Sequence, residues 1–164
     1  MQLNSPSDLF LYELSAMYDA ETKSAQLFGE VAGQIQDPNL AQFVRAQEQQ
    51  SQQKIQNLEE CFSALDTERQ DVACVTVDGM RADFQAFLGQ QPSVEVMQLY
   101  TLGSAMKLAH LGIASYRELM DKAVLMAEAQ CAQVLQTNLV QKEENAATLE
   151  RISHEIGERV MAVM

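Results

Sequence analysis

The chain has 164 residues, of which 47% are hydrophobic and 21% charged, so we expect a single folded domain over residues 1–164 and not a disordered segment. It carries 23 acidic residues against 11 Lys and Arg, and its formal net charge is −12. A surface this acidic repels phosphate groups, which argues against nucleic acid and against an anionic membrane surface as partners. The first residues lack a basic region followed by an apolar run, and no membrane-spanning apolar stretch is present, so we expect a cytoplasmic protein.

Apolar residues recur at spacings of three and four, which is the pattern of helices that bury one face. The first such pattern predicts a helix over about residues 8–35 that is capped by Ser7. The second predicts a helix over about 38–64, with Asp37 as its cap and Pro38 at its first position. Because so few residues join them, the two helices must form an antiparallel hairpin.

A polar segment over residues 66–75 leads to a short helix predicted over about 76–89. Two further long helices are predicted, one from the cap Ser93 to about 120 and one over about 124–160. The second and third long helices are separated by about 28 residues, enough to cross a bundle lengthwise. The predicted fold class is therefore all-α: a ferritin-like four-helix bundle with one long crossover that contains a short fifth helix.

Ferritin-like bundles that hold two metal ions use carboxylates and histidines on the inner helix faces. Glu21 falls within the apolar pattern of the first helix and points either inward or to the flank of that face. Glu48 has a similar place on the second helix, but Ser51 stands three residues later where a Glu-x-x-His pair needs histidine. These two glutamates are the candidate metal ligands.

The other two long helices offer little more. His110 is the one potential ligand near the middle of the third helix, and a single histidine there is more often satisfied by the core or by solvent. On the fourth helix, Lys142 shares a stripe with apolar neighbours, which leaves Glu143 and Glu144 beside it. Lys142 thus points inward or is an ordinary surface lysine.

Three cysteines, Cys61, Cys74 and Cys131, are far apart and form no Cys-x-x-Cys pair, which favours reduced thiols. Cys74 lies in an apolar stretch without a close basic residue, so we expect a structural, unreactive thiol.

Three segments resemble one known family. LYELSAMYDAETKSAQLF in the first helix, CVTVDGM in the crossover and KLAHLGIASYREL in the third long helix are similar to the YciF-like ferritin-like bacterial stress proteins. The resemblance spans about residues 8–155 and implies a bundle with a di-metal centre and a dimer formed through helix faces. Glu21 and Glu48 match carboxylate positions of that family.

The remaining ligand positions of the family are substituted in this chain. The resemblance places its helix-two histidine on Ser51, its helix-three acids on Ala109 and Gly112, and its helix-four acids near Lys142 and Ala146. Because two carboxylates alone seldom hold a metal tightly, we expect no working di-metal centre and no cofactor. Lys142 becomes a candidate to replace the charge of the missing metal.

Three functions remain open. The first is a stress-associated structural or protein-interaction role without a di-metal centre, with a homodimer as the expected assembly and an unknown protein partner. The second is an iron- or manganese-binding, oxidase-like member with altered ligands. The third is a carrier of an apolar small molecule. No hydrolase, kinase or dinucleotide-binding motif is present, so we favour a protein that is not an enzyme.

Overall fold

Five α-helices make up the computed structural model, which describes residues 3–163. The helices are α1 (Pro6–Ala32), α2 (Pro38–Ala64), α3 (Val75–Leu88), α4 (Val94–Leu125) and α5 (Ala129–Met161). This architecture confirms the all-α class and the short helix in the crossover. Residues 1, 2 and 164 of the predicted domain lie outside the described part. No helix within residues 3–163 is long and apolar enough to span a membrane.

Local capping fixes where the helices begin. The cap of α1 is Ser5 and not the predicted Ser7: the Ser5 hydroxyl accepts the N–H of Asp8 at 3.1 Å, and the Asp8 carboxylate accepts the N–H of Ser5 at 2.9 Å. These two contacts form a capping box, which Ser7 cannot form because Phe10 stands three residues after it, and Pro6 occupies the first helical position. Asp37 and Ser93 cap α2 and α4 as predicted.

Two helix ends differ from prediction. α1 stops at Ala32, before the predicted residue 35, because the N–H groups of Gln34 and Ile35 bond to Val31 and Ala32 in tighter turns that do not continue the α-helix. α4 continues to Leu125, about five residues beyond its predicted end, since the fully buried Ala123 extends its inner face. Ala127 then turns the chain with a φ of 61° and starts α5 at Ala129.

The long helices form two hairpins, α1–α2 and α4–α5, which pack into a bundle. Their buried residues repeat alternately at four and three positions, as in helices that interlock side chains along a shared seam. In α1 and α2 these residues are Phe10, Leu14, Met17, Glu21, Ser24, Phe28 and Val31, and Leu40, Val44, Gln47, Ser51, Lys54, Leu58 and Cys61. Most positions along this seam are apolar, but those near its middle include Glu21, Ser51 and Lys54.

The crossover helix α3 lies across α1 and α4. It buries Val77 and Phe84, and its Phe87 ring stacks on Tyr100 of α4 at a centroid distance of 3.7 Å. Lys23 of α1 forms an ion pair with Asp78 at 2.6 Å. These contacts close one side of the bundle.

The cysteines divide into two kinds. Cys61 and Cys131 are fully buried where α2 meets α5, and burial raises the pKa of both thiols. Cys74 is half-buried at the start of α3, where its N–H donates to Asp19 at 2.7 Å, so burial does not protect it as fully as it protects Cys61 and Cys131.

Mild labelling of the native protein with a thiol reagent should therefore modify Cys74 first. Cys61 and Cys131 should stay unmodified until the protein unfolds, because they are inaccessible and keep their protons. Peptide mass spectrometry after timed labelling measures the three rates. A Cys74→Ser variant should then take up almost no label in the native state. Equal rates at all three positions would contradict the buried packing of the α2–α5 contact.

Candidate functional site

A buried group of polar side chains lies where the four long helices meet. We call it the polar cluster: Glu21 of α1, Lys54 of α2, Tyr116 of α4, and Asn138 and Lys142 of α5. These side chains are between 0% and 5% exposed. Charged groups are rarely buried unless they are paired, so the contacts within the cluster decide what it can do.

Glu21 is the centre of the polar cluster. The ammonium of Lys142 lies 3.0 Å from Glu21 Oε1, and the Tyr116 hydroxyl donates to the same oxygen at 2.9 Å. The second carboxylate oxygen, Oε2, is buried and has no hydrogen-bond partner among the described residues. Oε1 of Glu21 therefore connects α1 to both α4 and α5, through Tyr116 and Lys142.

Asn138 connects the other side of the cluster. Its Nδ2 donates to the Tyr116 hydroxyl at 3.2 Å and to the backbone carbonyl of Lys54 at 3.3 Å. Its Oδ1 accepts from Asn57 Nδ2 at 2.7 Å. Burial, followed by the nearby Glu21 carboxylate, raises the pKa of Tyr116 well above its usual value, so the hydroxyl stays protonated and keeps donating.

Lys54 adds a second buried ammonium. Burial is the main cause that lowers its pKa from 10.5 to about 8, and repulsion from Lys142 lowers it further, while attraction to Glu21 opposes the shift. Counted with their ordinary charges, the side chains of the cluster are two ammonium groups and one carboxylate. Their formal charges sum to one positive charge inside the bundle.

Gly112 makes room for Lys142. A Cβ built on Gly112 would lie 2.9 Å from Lys142 Cε and 3.1 Å from Lys142 Cδ, which is closer than carbon atoms pack. The absence of a side chain on α4 thus lets the lysine stem cross from α5 toward Glu21. Gly112 is one of the positions where the resemblance implies an acid.

The structure separates the other predicted site residues from the polar cluster. Glu48 is half-buried beside Gly29 of α1, where a Cβ built on the glycine would lie 3.2 Å from Glu48 Oε1. Gly29 is about 12 Å from Glu21 along the axis of α1, so Glu48 lies well away from Glu21. His110 is exposed, and Glu143 pairs with Arg117 at the surface. Glu21 and Lys142 are the two predicted residues that the structure brings together.

These residues do not fit a di-metal centre. Two divalent ions need several oxygen or nitrogen donors that converge. Within residues 3–163 there is no group of three or more His, Cys, Asp and Glu side chains that could hold one ion. Around Glu21 the helices supply Lys54, Lys142 and Asn138 instead, and two ammonium groups repel a cation.

Sequence reasoning missed Lys54, Tyr116 as a hydrogen-bond donor, and Asn138. A signal for Lys54 was present. The alternating four-and-three spacing that runs from Leu40 through Ser51 to Leu58 includes Lys54, whereas the apolar residue Ile55 beside it is only half-buried. Asn138 follows the same spacing between Leu135 and Lys142.

Comparisons with known proteins agree with this fold. Residues 5–162 match the family described as Domain of unknown function (DUF892). Protein YciF of Escherichia coli K12 is 24% identical over 149 residues, which cover 90% of this chain and 88% of YciF.

Solved structures show the same architecture. The crystal structure of the E. coli stress protein YciF superposes with a TM-score of 0.91 at 19% identity, over 95% of this chain and 99% of that chain. YcfI from Rhodopseudomonas palustris gives a TM-score of 0.87 at 22% identity, over 91% of this chain and 95% of that chain. The family match over residues 5–162 and the shared bundle establish that the chain belongs to the YciF-like DUF892 family.

Proposed function

We propose that this protein is a YciF-like bundle that works without a di-metal centre, in a stress-associated structural or protein-interaction role. The observation that carries the proposal is the buried ion pair between Glu21 and Lys142 at 3.0 Å. In this proposal the Lys142 ammonium supplies the positive charge that a metal would bring to Glu21. The relation to a protein described as a stress protein supports the stress-associated role.

The polar cluster suits a structural role because it links all four long helices. A buried hydrogen-bonded network fixes one axial position of each helix relative to the others, since any shift leaves buried polar groups without partners. Tyr116 donates to the Glu21 carboxylate but keeps its proton, so this contact acts as a structural hydrogen bond and does not activate a nucleophile. Formation of a homodimer stays a prediction, which light scattering of the purified protein can check.

The metal-binding alternative is tested by metal content and iron oxidation. After purification without chelator, we expect fewer than one tightly bound iron or manganese ion per chain, because the donors around Glu21 are too few. Addition of iron(II) in air should give no fast oxygen consumption in proportion to two ions per chain. Mass spectrometry of the metal and an oxygen electrode make the two measurements.

The Glu21→Gln variant separates a true centre from surface binding. Weak binding to the acidic surface should be the same in the wild type and in this variant. Two ions per chain that are lost in Glu21→Gln would contradict the proposal and favour the oxidase-like alternative.

The carrier alternative is favoured by one feature. A cavity of about 160 Å³ lies between α1, α3 and α4, and the Lys142 side chain is part of its wall. A bundle with such a cavity can hold a small molecule as well as serve as a structural element.

A further inference from the structure

The cavity between α1, α3 and α4 is mostly apolar and reaches the polar cluster. Its apolar walls come from one face of α1, the start of α3 and one face of α4: Ala16, Met17, Ala20, Val77, Leu108, Leu111 and Leu119. Its volume of about 160 Å³ is close to that of an apolar protein cavity of about 150 Å³ that binds benzene. It can therefore hold a molecule of about that size.

Lys142 is the cation in the wall of this cavity. An ammonium has three N–H donors, and the contact with Glu21 engages one of them. The two serines in the wall already donate their hydroxyls to their own helices, Ser24 to Ala20 at 2.6 Å and Ser115 to Leu111 at 2.9 Å. Lys142 is thus the strong donor that the wall offers to a ligand.

The distribution of charge favours an anion and gives it a direction. The polar cluster holds the two ammonium groups of Lys54 and Lys142 against the one carboxylate of Glu21, and a buried excess charge is costly. The opposite part of the cavity carries the more exposed Glu13 and Glu118, which share Lys122 at 2.7 Å and 3.1 Å. A bound carboxylate is therefore repelled at the outer end and attracted at the inner end.

We propose that this cavity binds a short monocarboxylate with an apolar tail, whose carboxylate contacts Lys142 and whose tail packs between Met17 of α1 and Leu108 and Leu111 of α4. The proposal rests on the proposed function in one respect, namely that Lys142 occupies the polar cluster in place of a metal ion. It adds a ligand class to a site that otherwise has only a structural role.

Isothermal titration calorimetry with hexanoate tests the proposal on the full-length wild-type protein. We expect saturable binding of one hexanoate per chain. 1-Hexanol has the same tail without the charge, and we expect it to bind at least about tenfold more weakly. No saturable binding of hexanoate, or equal binding of the two probes, would overturn the proposal.

Variants that fill the cavity locate the site. Ala16 is half-buried in the cavity wall, so Ala16→Leu should weaken hexanoate binding at least about tenfold. The matched control is Ala114→Leu, the same substitution at an exposed position of α4 outside the cavity, which should bind like the wild type. If Ala16→Leu does not fold, Ser115→Leu fills the facing wall instead. Wild-type affinity in a folded, filled variant would overturn the proposal.

The outcomes for the ligand and for the missing metal centre remain distinguishable. Metal content and iron oxidation are measured without hexanoate and depend on Glu21. Hexanoate binding is measured on protein whose metal content is known and depends on Ala16. A metal-free protein that does not bind hexanoate would overturn only the ligand, whereas a protein with two ions per chain would overturn the metal-free function.

Discussion

Replacing Lys142 by methionine should lower the free energy of unfolding by about 3 kcal/mol at pH 7, because Glu21 then stays buried without the ammonium 3.0 Å away. Methionine keeps most of the unbranched stem beside Gly112, so the loss reports the charge more than the packing. The nearby Lys54 ammonium still attracts Glu21, which places the loss at the lower end of values for broken buried pairs. Urea unfolding followed by circular dichroism gives the difference.

A second background shows whether the loss belongs to the ion pair. In a Glu21→Gln protein there is no carboxylate to leave unpaired, so adding Lys142→Met should cost less than about 1 kcal/mol. The matched surface control is Lys107→Met, at an exposed position of α4, which should change stability by less than about 0.5 kcal/mol. Equal losses from Lys142→Met in the two backgrounds would show that Lys142 does not serve Glu21.

Much of the fold follows from spacing and capping alone. The recurrence of apolar residues at three and four positions gave four long helices and a short one, and Asp37 and Ser93 marked two of the starts. The start of α1 was misplaced because both Ser5 and Ser7 can cap, and only the combination of Pro6 and Asp8 decides between them. Helix ends are weaker signals, since packing can extend a helix past its last strongly apolar residue.

Which residue of α2 lies beside Glu21 depends on how α1 and α2 are aligned lengthwise. The spacing of apolar residues within one helix does not determine this alignment. A symmetric hairpin centred on residue 35 would set Glu21 opposite residue 49, beside Glu48. The observed contacts instead join Tyr18 to Glu59 at 3.0 Å and place Glu48 beside Gly29. This shifts α2 by about seven residues, or two helical turns, and sets Lys54 near Glu21 in place of Glu48.

The buried lysine in α2 was missed for a related reason. Ile55 satisfies the apolar pattern at the position after Lys54, and lysine is almost never fully buried without a partner. That partner, Glu21, lies on another helix and becomes visible only when the helices are assembled. The residues of the polar cluster are therefore of types that usually lie at the surface but are buried here. Such a conflict between residue type and burial is expected at functional or strained sites.

Raising the pH from 7 to 9 should make the wild-type protein more stable by about 1 kcal/mol relative to a Lys54→Met variant. In the unfolded chain Lys54 keeps its proton up to a pKa near 10.5, whereas in the folded chain its pKa is about 8. Between these values the unfolded state binds more protons, so stability rises with pH. The folded state must hold a costly ammonium at pH 7 and releases its proton by pH 9.

The comparison between the two proteins isolates Lys54, because all other titrating groups are present in both. Urea unfolding at pH 7, 8 and 9 gives the difference in free energy at each pH, and Lys107→Met is the control that should follow the wild type. The range ends at pH 9, because the folded chain has by then released most of the Lys54 proton. Lys54→Met should also be the more stable protein at pH 7, since it removes the excess positive charge and leaves the Glu21–Lys142 pair balanced. A difference between wild type and Lys54→Met that stays constant from pH 7 to 9 would mean that Lys54 keeps its proton throughout, and that the polar cluster holds its two ammonium groups without strain.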